Sequence, residues 1–411
     1  MSFLHRPQQV LVRRLLFQIH VWTGLVTALY AIFIGITGAA LVFRADLQKW
    51  TYPAFFAQRA NGADPASAET VIASLEREFP GYRFSGFDYP SDRRGTFLAY
   101  LAKDAELRTV FLDAASGAVI GELPRNGWIQ QLQELHFTFL AGQPGYLYNG
   151  IGASCLLVMC LSGVVVWWPG FSRAGQALVV HLDRGWRRVV WELHGAAAIW
   201  TVVLLIMWSA SGIYFSFPVP FRAATERFLT LTPYVSMQSG APLSVPPPMP
   251  SDLVRAAQAR VPGAQLARFG IPSGPRGTYS VTLARERHGD GDSSDEVTVY
   301  FDRFSGRELT TIDQTHHTAG DLFLVWLGRL HVGNFGGWPI RLVWFAAGLV
   351  FPLLAGSGSV MWWNRFVRPR LRSPVVHSSR KRNHDGHDDH EVHDDSLADP
   401  IERNQHTSWP S

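Results

Sequence analysis

The chain has 411 residues, room for two or three domains, of which 47% are hydrophobic and only 17% charged, where soluble domains carry roughly 25% charged residues. Its net charge of +4 comes from arginines clustered beside strongly apolar runs, which points to a membrane surface and away from nucleic acid as a partner. The two cysteines, Cys155 and Cys160, share one apolar run and read as packing residues, so a disulfide framework and a thiolate metal site are both excluded.

Residues 1–14 form a basic N-terminal segment with Arg6, Arg13 and Arg14. The apolar run 15–43 is too long for a signal-peptide core of roughly 7–15 residues and predicts a retained helix. A polar segment, 44–135, follows. Segment 136–168 joins an interfacial histidine to a second span, and 169–189 is a short basic loop. A third span covers 190–217, a second polar segment 218–330, and a second histidine segment with the fourth span 331–363. At about 1.5 Å per residue, each apolar run crosses a hydrocarbon layer of roughly 30 Å. Arg173, Arg184, Arg187 and Arg188 in the loop, and Arg365, Arg368, Arg370 and Arg372 after the fourth span, fall on the same side as the basic N-terminus. Positive residues stay inside, so both termini are expected in the cytoplasm and both polar segments outside. The tail, 364–411, contains HDGHDDHEVHDD and reads as solvated and disordered, its histidines at most a weak metal site.

The chain writes this pattern twice. LQELHFTFLAGQPGYLYNGIGASCLLVMCLSGVVVWW and LGRLHVGNFGGWPIRLVWFAAGLVFPLLAGSGSVMWW share one register: from histidine to the first Trp, 167 − 136 = 31 and 362 − 331 = 31; from histidine to the late Gly, 163 − 136 = 27 and 358 − 331 = 27. The first and third spans align likewise, His20 on His194 and Gly38 on Gly212, since 38 − 20 = 18 and 212 − 194 = 18. The polar segments agree too: each opens with a helical stretch, continues as alternating strands, and contains an Asp-x-x-x-Gly turn, Asp113–Gly117 and Asp302–Gly306. The predicted fold class is therefore a membrane α-helical protein with α+β extracytoplasmic domains, a four-span bundle built from two tandem repeats. Its pseudo-symmetry axis runs along the membrane normal.

Four histidines occupy equivalent places: His20, His194, His136 and His331. A lone interfacial histidine usually snorkels or makes a hydrogen bond; four in twofold register ask for more. His20 and His194 begin their spans, His136 and His331 precede theirs, so pairing is expected within each level and not across about 27 Å of helix. Two imidazoles facing each other suit a flat, two-sided ligand, and bis-histidine haem fits. Without CxxCH the haem is non-covalent, b-type, one in each leaflet. Gly24, Gly35, Gly38, Gly163, Gly195, Gly212 and Gly358 are expected to admit a macrocycle close to backbone, although helix contact explains them as well. Zinc is the nearest rival, but two histidines per level without a carboxylate or thiolate make a poor zinc site. The Trp-Trp pairs read first as an interfacial belt. His316 and His317 have no counterpart in the first unit and fit a solvated loop as well as a metal or substrate contact; His181 and His288 receive no role.

The opening LFQIHVWTGLVTALYAIFIGITGAALVFR, the endings FLDAASGAVIG and YFDRFSGREL, and the LxxLH elements before spans two and four resemble the PepSY-associated transmembrane-helix proteins over roughly residues 10–368. The resemblance implies PepSY-like domains at 44–135 and 218–330 and a bacterial inner-membrane protein, often iron-regulated. Some members are di-haem ferric-siderophore reductases of the ferrioxamine-reductase type. By that analogy His20, His194, His136 and His331 are axial haem ligands. The leading expectation is an oxidoreductase that carries electrons across the membrane to a ferric siderophore or ferric chelate during iron uptake. No Gly-rich dinucleotide fingerprint is present, so the electrons are expected from quinol or a separate cytoplasmic reductase. One alternative is a non-catalytic regulatory or binding protein anchored by the spans. Another is a siderophore or metal transporter, for which the span cores offer few ionisable residues, Glu192 lying at a boundary.

Overall fold

The computed structural model describes residues 11–56, 64–91, 94–104, 106–233, 237–242, 244, 246–285, 296–314 and 317–372. His288, His316 and the tail beyond Arg372, with its histidines, lie outside the described residues.

Four helices are long and apolar enough to cross a membrane, Leu11–Leu41, Gln143–Trp167, Trp186–Ser216 and Gly337–Leu371. The first is α1 (Leu11–Leu41), and its buried face carries Thr27, Ala31, Gly35 and Ala39, a stripe of small residues one turn apart. That stripe brings the fourth span close: a Cβ on Gly35 would sit 2.7 Å from Pro352 Cδ and 2.9 Å from the Gly348 carbonyl oxygen. Small residues are how apolar helices gain contact when lipid competes for every larger side chain.

After α1 come α2 (Arg44–Thr51) and α3 (Ala68–Glu78), capped by the Ser67 side chain. Strands β1 (Arg83–Asp88), β2 (Thr96–Lys103), β3 (Glu106–Asp113) and β4 (Val119–Glu122) follow. The chain then runs through α4 (Trp128–Thr138) into the second span, α5 (Gln143–Trp167). The third span is α6 (Trp186–Ser216), followed by α7 (Pro218–Thr225) and α8 (Pro250–Arg260). Strands β5 (Gln265–Gly270), β6 (Tyr279–Ala284), β7 (Glu296–Phe301) and β8 (Glu308–Asp313) lead to α9 (Ala319–Val332). The fourth span is divided into α10 (Gly337–Gly348) and α11 (Val350–Trp362). The division falls beside Pro352, which has no N–H for the preceding turn and crowds the Gly348 carbonyl.

The two polar segments do not make separately cored domains. Their strands join in one antiparallel sheet of eight, ordered β4-β3-β2-β1-β5-β6-β7-β8, with Gly86, Phe87 and Asp88 opposite Gly270, Phe269 and Arg268 at the junction. A single core runs across that junction: Phe87, Phe97, Phe269 and Phe301 lie under Val71 and Leu75 of α3 and Leu253 and Ala257 of α8. Glu69 on α3 accepts the Ser251 N–H at 2.6 Å and ties the two helices together. Each segment alone would leave β1 or β5 as an unpaired edge, and pairing the two edges removes both.

The Asp-x-x-x-Gly turns are near-identical. Asp113 Oδ1 accepts the Ser116 N–H and hydroxyl, both at 2.8 Å. Asp302 Oδ1 accepts the same groups of Ser305 at 2.8 and 2.9 Å. Gly117 and Gly306 both have φ 68°, a region a side chain rarely adopts.

The fourth span also runs past the expected limit at Trp363, through a π-turn at Trp363–Val367 and a last helical turn at Arg368–Arg372. Arg365, the first arginine past that limit, packs its charge on aromatic rings. The Arg365 guanidinium lies 4.7 Å from the centre of the Phe17 ring.

Candidate functional site

Each histidine stands on a helix that the sequence ends or begins for a reason. His20 and His194 lie in α1 and α6. His136 and His331 lie in the short helices α4 and α9, which lead from the sheet to the second and fourth spans. Both short helices stop shortly after the histidine at a left-handed residue, Phe139 (φ 53°) and Gly333 (φ 75°). Side chains from the spans then hold their ends. Asn149 Nδ2 donates to the His136 and Phe137 carbonyls at 3.0 and 3.1 Å. Trp208 Nε1 donates to the His331 carbonyl at 3.0 Å.

The fold brings together the two pairs expected from the sequence. His20 and His194 have ring centres 6.5 Å apart, and His136 and His331 6.3 Å apart. The second pair sits toward the sheet and the first toward the opposite end of the bundle. They are separated by the stretch of α1 between His20 and the His136-binding Thr37: 37 − 20 = 17 residues, about 25 Å of helix. The space between the levels is packed with Ala31, Leu156, Leu205 and Phe351.

All four rings meet a hydroxyl on a neighbouring span, and each of those hydroxyl residues is followed by glycine. His136 Nδ1 meets Thr37 Oγ1 at 2.9 Å, His331 Nδ1 meets Ser211 Oγ at 2.6 Å, and His194 Nδ1 meets Ser357 Oγ at 2.9 Å. His20 Nδ1 lies 3.3 Å from Ser162 Oγ and 3.2 Å from the Met159 carbonyl oxygen. Three of the glycines that follow these hydroxyls lie against imidazole Cε1. A Cβ would approach it to 2.9 Å at Gly38, 3.1 Å at Gly163 and 3.4 Å at Gly358.

The tautomers follow from proton counting. Thr37, Ser211 and Ser357 also touch the carbonyl four residues back in their own helices, at 2.6, 2.8 and 2.7 Å. Contacts that short each need a proton. A carbonyl brings none, so the hydroxyl donates to the carbonyl and accepts from the imidazole. His20 reaches the same state because the Met159 carbonyl only accepts. Every Nδ1 therefore carries the hydrogen and every Nε2 carries a lone pair. Among the described residues the hydrogen bonds of these four rings all run through Nδ1.

Gly24, Gly35, Gly195 and Gly212 face Met159, Pro352, Trp167 and Ala153, the helix-contact role that the sequence also allowed them. Other residues depart from the sequence reading. His317 does not fit a solvated loop: its Nε2 is buried without a partner among the described residues. Glu192 and His181, given no role above, form a junction. Buried Glu192 accepts the His181 N–H at 2.8 Å, Arg184 at 2.9 Å and Arg188 at 2.8 Å, clamping the loop to the start of α6. Among the described residues no three His, Cys, Asp or Glu side chains converge as a metal site would require.

No curated protein matches the chain in sequence. The family model for the PepSY-associated TM region matches residues 17–365, a range that holds all four spans' cores, the sheet and the four histidines. The chain is an integral membrane protein and belongs to the PepSY-associated TM family.

Proposed function

We propose that this protein is a di-haem b electron-transfer protein of the bacterial inner membrane, made of two tandem repeats. In this reading it reduces a ferric siderophore or ferric chelate on the sheet side during iron uptake. The observation that carries the proposal is the pair of Nε2 lone pairs at each level, locked in one tautomer and met by no donor. Inside a bilayer an unmet acceptor costs several kcal/mol, and an ion shared by both rings of a pair satisfies two at once.

The spacing supports the fit. A metal–imidazole bond is about 2 Å, so two such bonds and the two ring radii set ring centres roughly 6 Å apart. The measured separations are 6.5 and 6.3 Å. Two nitrogens and no third protein ligand suit a group that brings its own equatorial donors, which zinc does not. Haem held in this way supplies reversible one-electron transfer at its iron. The residues of the chain do the rest. His20 with His194, and His136 with His331, would hold the iron through Nε2; Thr37, Ser162, Ser211 and Ser357 orient the rings and would raise their basicity through Nδ1–H. The apolar layer around Leu156 and Phe351 excludes water between the levels. The arginine-rich span ends argue for N-terminus and tail in the cytoplasm, with quinol or a cytoplasmic reductase as donor at the His20 level.

The test is vectorial reduction. Proteoliposomes loaded with a reductant, with a ferric hydroxamate and a ferrous-specific dye outside, should develop ferrous colour, and each histidine-to-alanine variant should abolish it. Colour formation unaffected by His194→Ala and His331→Ala would refute the redox reading and favour a binding or regulatory protein.

A further inference from the structure

Three of the buried polar atoms without a partner belong to one end of the bundle, and all three are donors: Arg13 Nε, Trp168 Nε1 and Trp362 Nε1. Their places in the helices put them just beyond the His20–His194 pair. Arg13 precedes His20 by 20 − 13 = 7 residues, two turns on the same face of α1, about 10 Å toward the N-terminal end. Its Nη2 donates to the Val166 carbonyl at 2.8 Å, which brings the guanidinium to the end of α5, beside Trp167 and Trp168. Trp168 follows by five residues the glycine that faces His20, 168 − 163 = 5. Trp362 follows by four the glycine that faces His194, 362 − 358 = 4. Each is one turn or slightly more past its glycine. Among the described residues Arg13 meets no carboxylate, and its hydrogen-bond acceptor is the Val166 carbonyl.

A guanidinium Nε and two indole N–H groups, each buried without an acceptor among the described residues at the end of the bundle that holds one histidine pair, are donors of the kind a carboxylate there would use. Resting on the haem reading, we infer that Arg13, Trp168 and Trp362 bind the peripheral carboxylates of the tetrapyrrole held by His20 and His194. The axial histidines leave those carboxylates unrecognised. The rim donors would hold those carboxylates and so orient the bound group. Hydrogen bonds to an ionised carboxylate are the strong ones, so this rim discriminates the free acid from its ester.

The test uses the full-length protein in detergent, carrying His331→Ala so that only the His20–His194 site loads, produced without haem and titrated with haemin or haemin dimethyl ester by absorbance. The parent should prefer the free acid by about tenfold or more. The variant Arg13→Gln/Trp168→Phe/Trp362→Phe keeps ring volumes and should lose most of that preference while retaining low-spin ligation. Loading of the sheet-side site in the same triple variant with His331 restored reports that the fold survives. An undiminished preference in the triple variant, with haem still on His20 and His194, overturns the rim assignment alone. So does a variant whose only change is weaker binding of anionic-lipid vesicles, which would make the rim a phosphate site of the membrane surface. A parent that takes up neither compound overturns both the rim and the haem reading beneath it.

Discussion

At the scale of single residues, the site is a set of orientations more than a set of identities. A histidine's ligand nitrogen is defined by what its other nitrogen does, and here that decision is delegated to hydroxyls on neighbouring spans. Thr37→Ala and Ser211→Ala remove the acceptors of His136 and His331. Each should weaken haem retention at the sheet-side level by about 10–100-fold, with the other level unaffected, as read by haem dissociation to a scavenger. The glycines grade a second series. Cβ approaches of 2.9, 3.1 and 3.4 Å predict that Gly38→Ala disturbs its imidazole most, Gly163→Ala less and Gly358→Ala least. Low-spin band shape would check that order, and a uniform response would contradict it. The histidines were legible in the sequence because their spacing repeats without a gap. The Ser-Gly pairs near the ends of spans two and four were legible as motifs, yet their use was not, because a contact between helices has no local signature. Glu192 escaped for a related reason: its three partners gather only when the loop folds back on α6.

Elements carry the next level of argument. Spans are the easiest features to read, since roughly 20 apolar residues announce themselves, and the positions of all four agree with the helices found. Their contacts are harder. Gly35→Val would drive methyls into Pro352 and the Gly348 carbonyl, 2.7 and 2.9 Å from a Cβ. Such overpacking costs about 1–3 kcal/mol, and a lower midpoint of thermal unfolding in detergent is the expected readout. The joined sheet was not legible. Each segment shows its own alternation, but the β1–β5 pairing links strands some 180 residues apart, and edges are matched by shape and not by a periodic pattern. The turns at its margins make a pH prediction. The Ser116 N–H, then its hydroxyl, hold the Asp113 carboxyl below the usual carboxylate range. A depressed folded value means stability that is present above the unfolded pKa of about 3.9 and is lost as pH falls through the folded value. Asp113→Asn should therefore lower stability at neutral pH and converge with the parent in strong acid, in urea titrations at both pH values.

For the whole molecule, two histidine levels about 25 Å apart and one sheet beyond the nearer level divide the labour. In the proposed reading the bundle carries electrons across the apolar layer and the eight-stranded sheet faces the acceptor. Family membership over residues 17–365 covers both parts, while the chemistry rests on what the imidazoles hold. The most direct measurement is a pyridine haemochrome count per chain on purified protein, parent beside His194→Ala and His331→Ala. Two b-type haems in the parent and one in each variant, with low-spin spectra throughout, are the predicted result. A parent that purifies without haem from haem-replete cells, or variants that keep both haems, would contradict it.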